Sequence, residues 1–132
     1  MSKCVTKGEE KYLKLSQYPE YLIAKIFENV SEGIMITDKD KKIMSVNAAF
    51  EFVTGYTREE VIGRSPSILQ SGIHDVSFYV DMWKSLYESG VWQGEIWNRR
   101  KTGDIYPEWL TIFSIKDTEG NITNYCGVFS DL

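Results

Sequence analysis

The chain has 132 residues, 26% of them charged and 42% hydrophobic, with a formal net charge of -4. That is one domain's length, able to bury roughly two-thirds of its unfolded surface, and its composition is that of a globular rather than a disordered chain. The acidic balance argues against a nucleic-acid binder, which needs basic patches to neutralise phosphates. No apolar run approaches the ~18 residues of a membrane helix, and the opening MSKCVTKGEEKYLK lacks the apolar centre of a secretory signal. Cys4 and Cys126 make no disulfide framework, and no Cys/His group has zinc spacing. The expectation is a cytoplasmic domain with reduced thiols.

Residues 1–19 read as a flexible or helical extension, interrupted at Pro19. Leu22, Ile26 and Val30, with Ile23 and Phe27, fall at four-residue spacing and predict an amphipathic helix over 20–30. Ile34–Thr37 and Ile43–Val46 flank the charged turn 38–42 and predict a hairpin. Asn47 stands at a helix N-cap, and that helix stops at Gly55. Thr57 and Glu60 have capping-box spacing for a second short helix ending near Gly63. An irregular stretch around Ser65-Pro66-Ser67 leaves room for one helical turn at Ile68-Leu69. Asp75 or Ser77 caps a helix of about three turns carrying Phe78, Tyr79, Met82, Trp83 and Leu86. The last third then alternates with period two. Strands are expected from Trp92 to Arg99, over 105–116 and over 122–130. The class is α+β, an antiparallel sheet split by a helical insert.

The strand over 105–116 is apolar on both faces. Tyr106, Leu110 and Ile112 share one face; Trp109, Phe113 and Ile115 share the other. The helical insert can cover one face, and the other needs residues 20–30, a second subunit, or both. Homodimerisation through Trp109, Phe113 and Ile115 with Leu22 and Ile26 is therefore one expectation; full cover by residues 20–30 of the same chain is the alternative.

Several segments, in order along the chain, carry a family resemblance. Glu32-Gly33-Ile34-Met35-Ile36-Thr37-Asp38 followed by Val46-Asn47-Ala48-Ala49-Phe50, and Thr54 through Arg64, resemble the start of a PAS domain. Trp92 through Gly103 resembles PAS domains of bacterial multidomain sensors, and Gly127 through Leu132 the end of a PAS core. The resemblance covers residues 21–132 and places the PAS domain at 20–132. It implies a five-stranded antiparallel sheet in the order 2-1-5-4-3, helices on one face, and a cleft between them. It also implies a sensor that biases an attached effector, such as a diguanylate cyclase (GGDEF), an EAL enzyme or a histidine kinase. With no effector following, the chain reads as a fragment of a longer protein.

PAS clefts hold haem, flavin, organic acids or nothing. In the light-sensing subgroup a cysteine stands where this chain has Pro66, so no cysteinyl-flavin adduct is expected. Three amides of that subgroup match Asn98, Glu108 and Phe129, of which only Asn98 is an amide. Redox sensing through FAD stays open, because Trp92 and the run Asn98-Arg99-Arg100-Lys101 resemble FAD-binding PAS domains of nitrogen-fixation regulators. Trp92 offers a flat apolar surface and Asn98 a donor and an acceptor. The plainer reading makes Trp92 and Ile96 core and gives Asn98 a backbone partner. Glu108 shares a face with Tyr106 and Leu110. It is a ligand contact, a partner for a basic side chain near the mouth, or, by preference, a partly exposed strand-end residue. The single histidine, His74, could ligate haem but reads as a surface loop residue.

The candidate cleft residues are Trp92, Ile96, Asn98, Glu108, Leu110 and Phe129. No nucleophile elbow, phosphate-cradling loop or metal cluster points to an enzyme. Two functions remain: a sensor binding a small molecule or cofactor in its cleft, or a ligand-free dimerisation module whose 18 aromatic residues fill that cleft.

Overall fold

The computed structural model describes residues 13–132. Most of the N-terminal extension, with Cys4, lies outside the described residues; what is described of it includes a 3-10 turn at Leu15–Gln17. Pro19 stands just ahead of α1 (Glu20–Asn29), where a missing N–H costs no helical hydrogen bond. β1 (Gly33–Asp38) and β2 (Ile43–Val46) form the hairpin. Asp38 organises its turn, its Oδ1 accepting from the amides of Asp40 at 2.8 Å and Lys42 at 2.9 Å.

Side-chain caps set the helical insert. Asn47 accepts from Phe50 N to start α2 (Ala48–Thr54), and Gly55, left-handed at φ 80°, ends it. Thr57 and Glu60 close a capping box on α3 (Arg58–Val61), and a 3-10 turn follows at Pro66–Leu69. Asp75, not Ser77, caps α4 (Val76–Ser89); Ser77 instead donates its hydroxyl to Asp75 Oδ1. With 14 residues, α4 makes about four turns rather than three. The apolar spacing marks its buried stripe, and left-handed Gly90 (φ 81°) ends the helix after Ser89. β3 (Val91–Arg99), β4 (Ile105–Lys116) and β5 (Ile122–Asp131) complete the sheet.

The five strands are antiparallel in the order β2-β1-β5-β4-β3, as expected. Phe50, Val61, Met82 and Leu86 from the helices pack on Ile43, Val46, Ile96, Leu110 and Phe129 of the sheet. The segment after the 3-10 turn protects the β3 edge: Gln70 bridges to Asn98, and Ser71 Oγ donates to Trp97 O at 2.7 Å.

Among the described residues nothing fully covers the opposite face of the sheet. Trp109, Phe113 and Ile115 are 43%, 37% and 38% exposed. Full cover by residues 20–30 of the same chain is thus corrected: α1 packs against α2 instead. Asn47 holds it there. Its Nδ2 donates to Phe27 O at 3.0 Å and Glu32 O at 2.9 Å, while its Oδ1 accepts from Ile34 N at 2.8 Å and Phe50 N at 3.0 Å. Glu28 Oε1 also accepts from Ala48 N at 3.0 Å. These bonds fasten the end of α1 beside the start of α2, and Tyr21, Ile23 and Ile26 stay exposed.

Candidate functional site

Between the inner sheet face and the helices lies a cavity of about 100 Å³. Alternation along β3, β4 and β5 turns Ile96, Asn98, Glu108, Leu110 and Phe129 into it. Trp92, sixth of the expected contacts, lies outside the lining. A Cβ at Gly94 would stand 3.1 Å from the indole, so this glycine leaves the ring room to lie along its own strand. There Trp92 meets Phe78 edge-on at 5.7 Å.

The helical wall was not foreseen. Leu69, Tyr79, Met82 and Trp83 supply it, and Pro66 also faces the cavity. Met35 and Thr37 of β1 and Gly127 of β5 belong to the sheet side. Lys41, left-handed at φ 65°, places its Nζ 3.9 Å from the Trp83 ring, joining the hairpin turn to α4 at the rim. Gly33 and Phe129 are directly paired across β1 and β5, and a Cβ at Gly33 would lie 2.3 Å from Phe129 Cζ. The absent side chain makes the space that Phe129 fills, edge-on to Phe50 at 5.9 Å.

One polar group dominates the cavity. Glu108 is 2% exposed, which corrects its reading as a partly exposed strand-end residue. Asn98 pairs with Tyr106 across β3 and β4, so Glu108 is its diagonal neighbour on the same face. Asn98 Nδ2 donates to Glu108 Oε1, and Glu108 Oε2 has no protein partner. The partner is an amide, not the basic side chain also considered. Burial pushes the Glu108 carboxyl up to about 7; the Asn98 bond opposes this, Asp131 adds to it and Arg100 offsets it. On the helical wall the Tyr79 hydroxyl is likewise unpartnered, and burial raises its pKa.

Asp131, at the end of β5, pairs in register with Glu108. Arg100 binds the Asp131 carboxylate at 2.9 Å, donates to Val53 O, and lies 3.8 Å over the Tyr106 ring. The cavity carboxyl and Asp131 are therefore directly paired on adjacent strands.

His74, weighed as a haem ligand and read as a surface loop residue, has its ring engaged elsewhere. His74 Nε2 accepts from Trp97 N at 2.9 Å, and its ring stacks on Phe78 at 3.9 Å, outside the cavity lining. Among the described residues no thiol lines the cavity. Cys126 is buried on the outer face, paired with Phe113. At about 100 Å³ the cavity falls well below the ~300–1,000 Å³ of clefts that hold drug-sized ligands. A tricyclic flavin ring exceeds this volume, so holding one would require the walls to part.

A five-stranded antiparallel sheet in this order, with short helices over one face and a small cavity between them, is a PAS-like fold. The PAS domain family model matches residues 31–132, and the chain belongs to that family. A nitrogen fixation regulatory protein of Klebsiella oxytoca is 27% identical over 118 residues, 89% of this chain and 24% of that protein. A blue-light photoreceptor of Listeria innocua is 32% identical over 122 residues, covering 89% of this chain and 48% of that protein. A solved PAS domain from Colwellia psychrerythraea superposes with a TM-score of 0.80 at 24% identity, over 85% of this chain and 95% of that one, a likeness of fold. The chain thus spans about a quarter to a half of these curated relatives.

Proposed function

We propose that this chain is a cytoplasmic sensory module that binds a small molecule in the cavity and biases an attached effector domain, such as a diguanylate cyclase or a histidine kinase. One observation carries the reading: an apolar cavity with a buried carboxyl whose second oxygen has no partner. Such an oxygen is costly to bury unless something binds it.

Signalling requires two states that the ligand contacts differently. A ligand on Glu108 changes the charge beside Asp131, and with it the pull of Arg100 on the C-terminal exit. Through the sheet it also alters the seating of Phe129 beside Gly33, and so the start of β1 that Asn47 ties to α1. The outer face, through Trp109, Phe113 and Ile115 with Leu22 and Ile26 of a second copy, is the proposed dimer contact. Exposed apolar residues in both sets support it.

The test compares wild type with Gly127→Val. A Cβ at Gly127 meets Leu110 and Met35 at 3.6 and 3.8 Å, ordinary contacts, so the branched side chain fills the cavity without a clash at Cβ. Freshly purified protein is denatured and the released compounds are identified by mass. A compound released by wild type and absent from a folded Gly127→Val supports the sensor. The exposed outer strip favours a second reading, a ligand-free dimerisation module. No compound from either protein, together with concentration-dependent dimerisation by sedimentation, would support that reading instead.

A further inference from the structure

We propose that the cavity selects a compact, uncharged, mostly apolar molecule carrying a carbonyl-type oxygen, which accepts a hydrogen bond from the Glu108 carboxyl at Oε2. This deepens the ligand-binding reading and rests on it.

Size comes first. A dry cavity of about 150 Å³ accommodates benzene. At about 100 Å³ the occupant is smaller, a ring of four or five heavy atoms or its open-chain equivalent. Leu69, Met82, Ile96, Leu110 and Ile112 make most of the wall apolar and favour a hydrocarbon body.

Polarity comes second. Oε1 of Glu108 already accepts from Asn98, so only Oε2 is free, which excludes the two-pronged grip by which a carboxylate takes a guanidinium or amidinium. A primary ammonium would bring three N–H donors and the cost of stripping its water. Against that, the cavity offers one free carboxyl oxygen and the Tyr79 hydroxyl as orphaned buried atoms. A neutral carboxyl inverts the demand. Its proton sits on Oε2, because Oε1 is the acceptor for Asn98, so the unpartnered oxygen of this lining residue becomes a donor. The Tyr79 hydroxyl gives a second donor on the helical wall. A carbonyl oxygen has two lone pairs and no proton of its own to satisfy. Burial of Glu108 keeps the carboxyl protonated to about pH 7, so the donor form is present on the acid side of neutrality.

The experiment uses the methyl resonances of labelled methionines. Met35 and Met82 line the cavity, whereas Met44, half exposed, is outside the lining and serves as an internal control. Three probes of nearly equal shape are titrated: cyclobutanone, methylenecyclobutane and cyclobutylammonium. At about pH 5.5 cyclobutanone should shift Met35 and Met82 at least about tenfold more tightly than methylenecyclobutane, the discrimination expected when a buried donor is left unpaired. Between about pH 5.5 and about pH 8.5 its affinity should fall about thirtyfold as Glu108 loses its proton. Glu108→Gln, which keeps an N–H donor, should bind cyclobutanone with no such pH dependence, and Glu108→Leu should lose the preference for the ketone.

Equal binding of ketone and hydrocarbon, or tightest binding of the ammonium with affinity rising with pH, would overturn the carbonyl assignment and leave a ligand cavity standing. Failure of all three probes to move Met35 and Met82 would overturn the cavity reading with it.

Discussion

Replacing Glu108 by Gln removes the one buried carboxyl among the described residues while keeping its shape and an acceptor for Asn98. In the unfolded chain this group ionises near its ordinary value of 4.5, and in the folded chain near 7. Between those values the folded state holds a proton that the unfolded state has released. The group's contribution is therefore full below about pH 4.5 and is lost as pH rises through about 7. The interval corresponds to about 3 kcal/mol. Urea unfolding of both proteins across this range, compared as a difference, cancels the other titrating groups. Relative to Glu108→Gln, wild type should lose about 3 kcal/mol between acid and mildly alkaline pH. Parallel stability profiles would refute the reasoning, because Glu108 would then ionise alike folded and unfolded.

Asn47→Ala should cost about 3 kcal/mol by denaturant unfolding, since it removes a cap and strands Ile34 N, Phe27 O and Glu32 O. Amide exchange over α1 should rise more than exchange over β4 and β5. Gly33→Ala should cost about 1–3 kcal/mol, because its Cβ would force the Phe129 ring to move, and near-ultraviolet circular dichroism should report the repacking. Phe113→Glu, on the outer face, should weaken self-association in sedimentation while changing stability by only about 0.5 kcal/mol; unaltered association would remove that face from the dimer.

Local chemistry made the elements legible. Asn47, Gly55, the Thr57–Glu60 box and the turn at Asp38 each act over a few residues, and each stands where its spacing placed it. The parity of β4 likewise separated Leu110 from Trp109. What alternation could not convey was depth. It turned Glu108 inward, but its burial depends on the neighbouring strand and on the helices above it. The diagonal relation of Asn98 to Glu108 was readable once β3 and β4 were aligned, and was the available signal for their contact. Trp92 shared the right face and still missed the cavity, since Gly94 beside it let the indole turn along the strand. Tyr79, Met82 and Trp83 were visible as an apolar stripe, but which strands that stripe would meet is a long-range outcome. So is the seat of α1, decided by a side chain 20 residues from Phe27.

The most direct measurement is the methionine methyl spectrum of one preparation in three states: freshly purified, refolded after removal of small molecules, and refolded with cyclobutanone added. Met35 and Met82 should differ among the states while Met44 stays in place. Identical Met35 and Met82 resonances in all three would contradict the account, leaving a packed core where it places a ligand site.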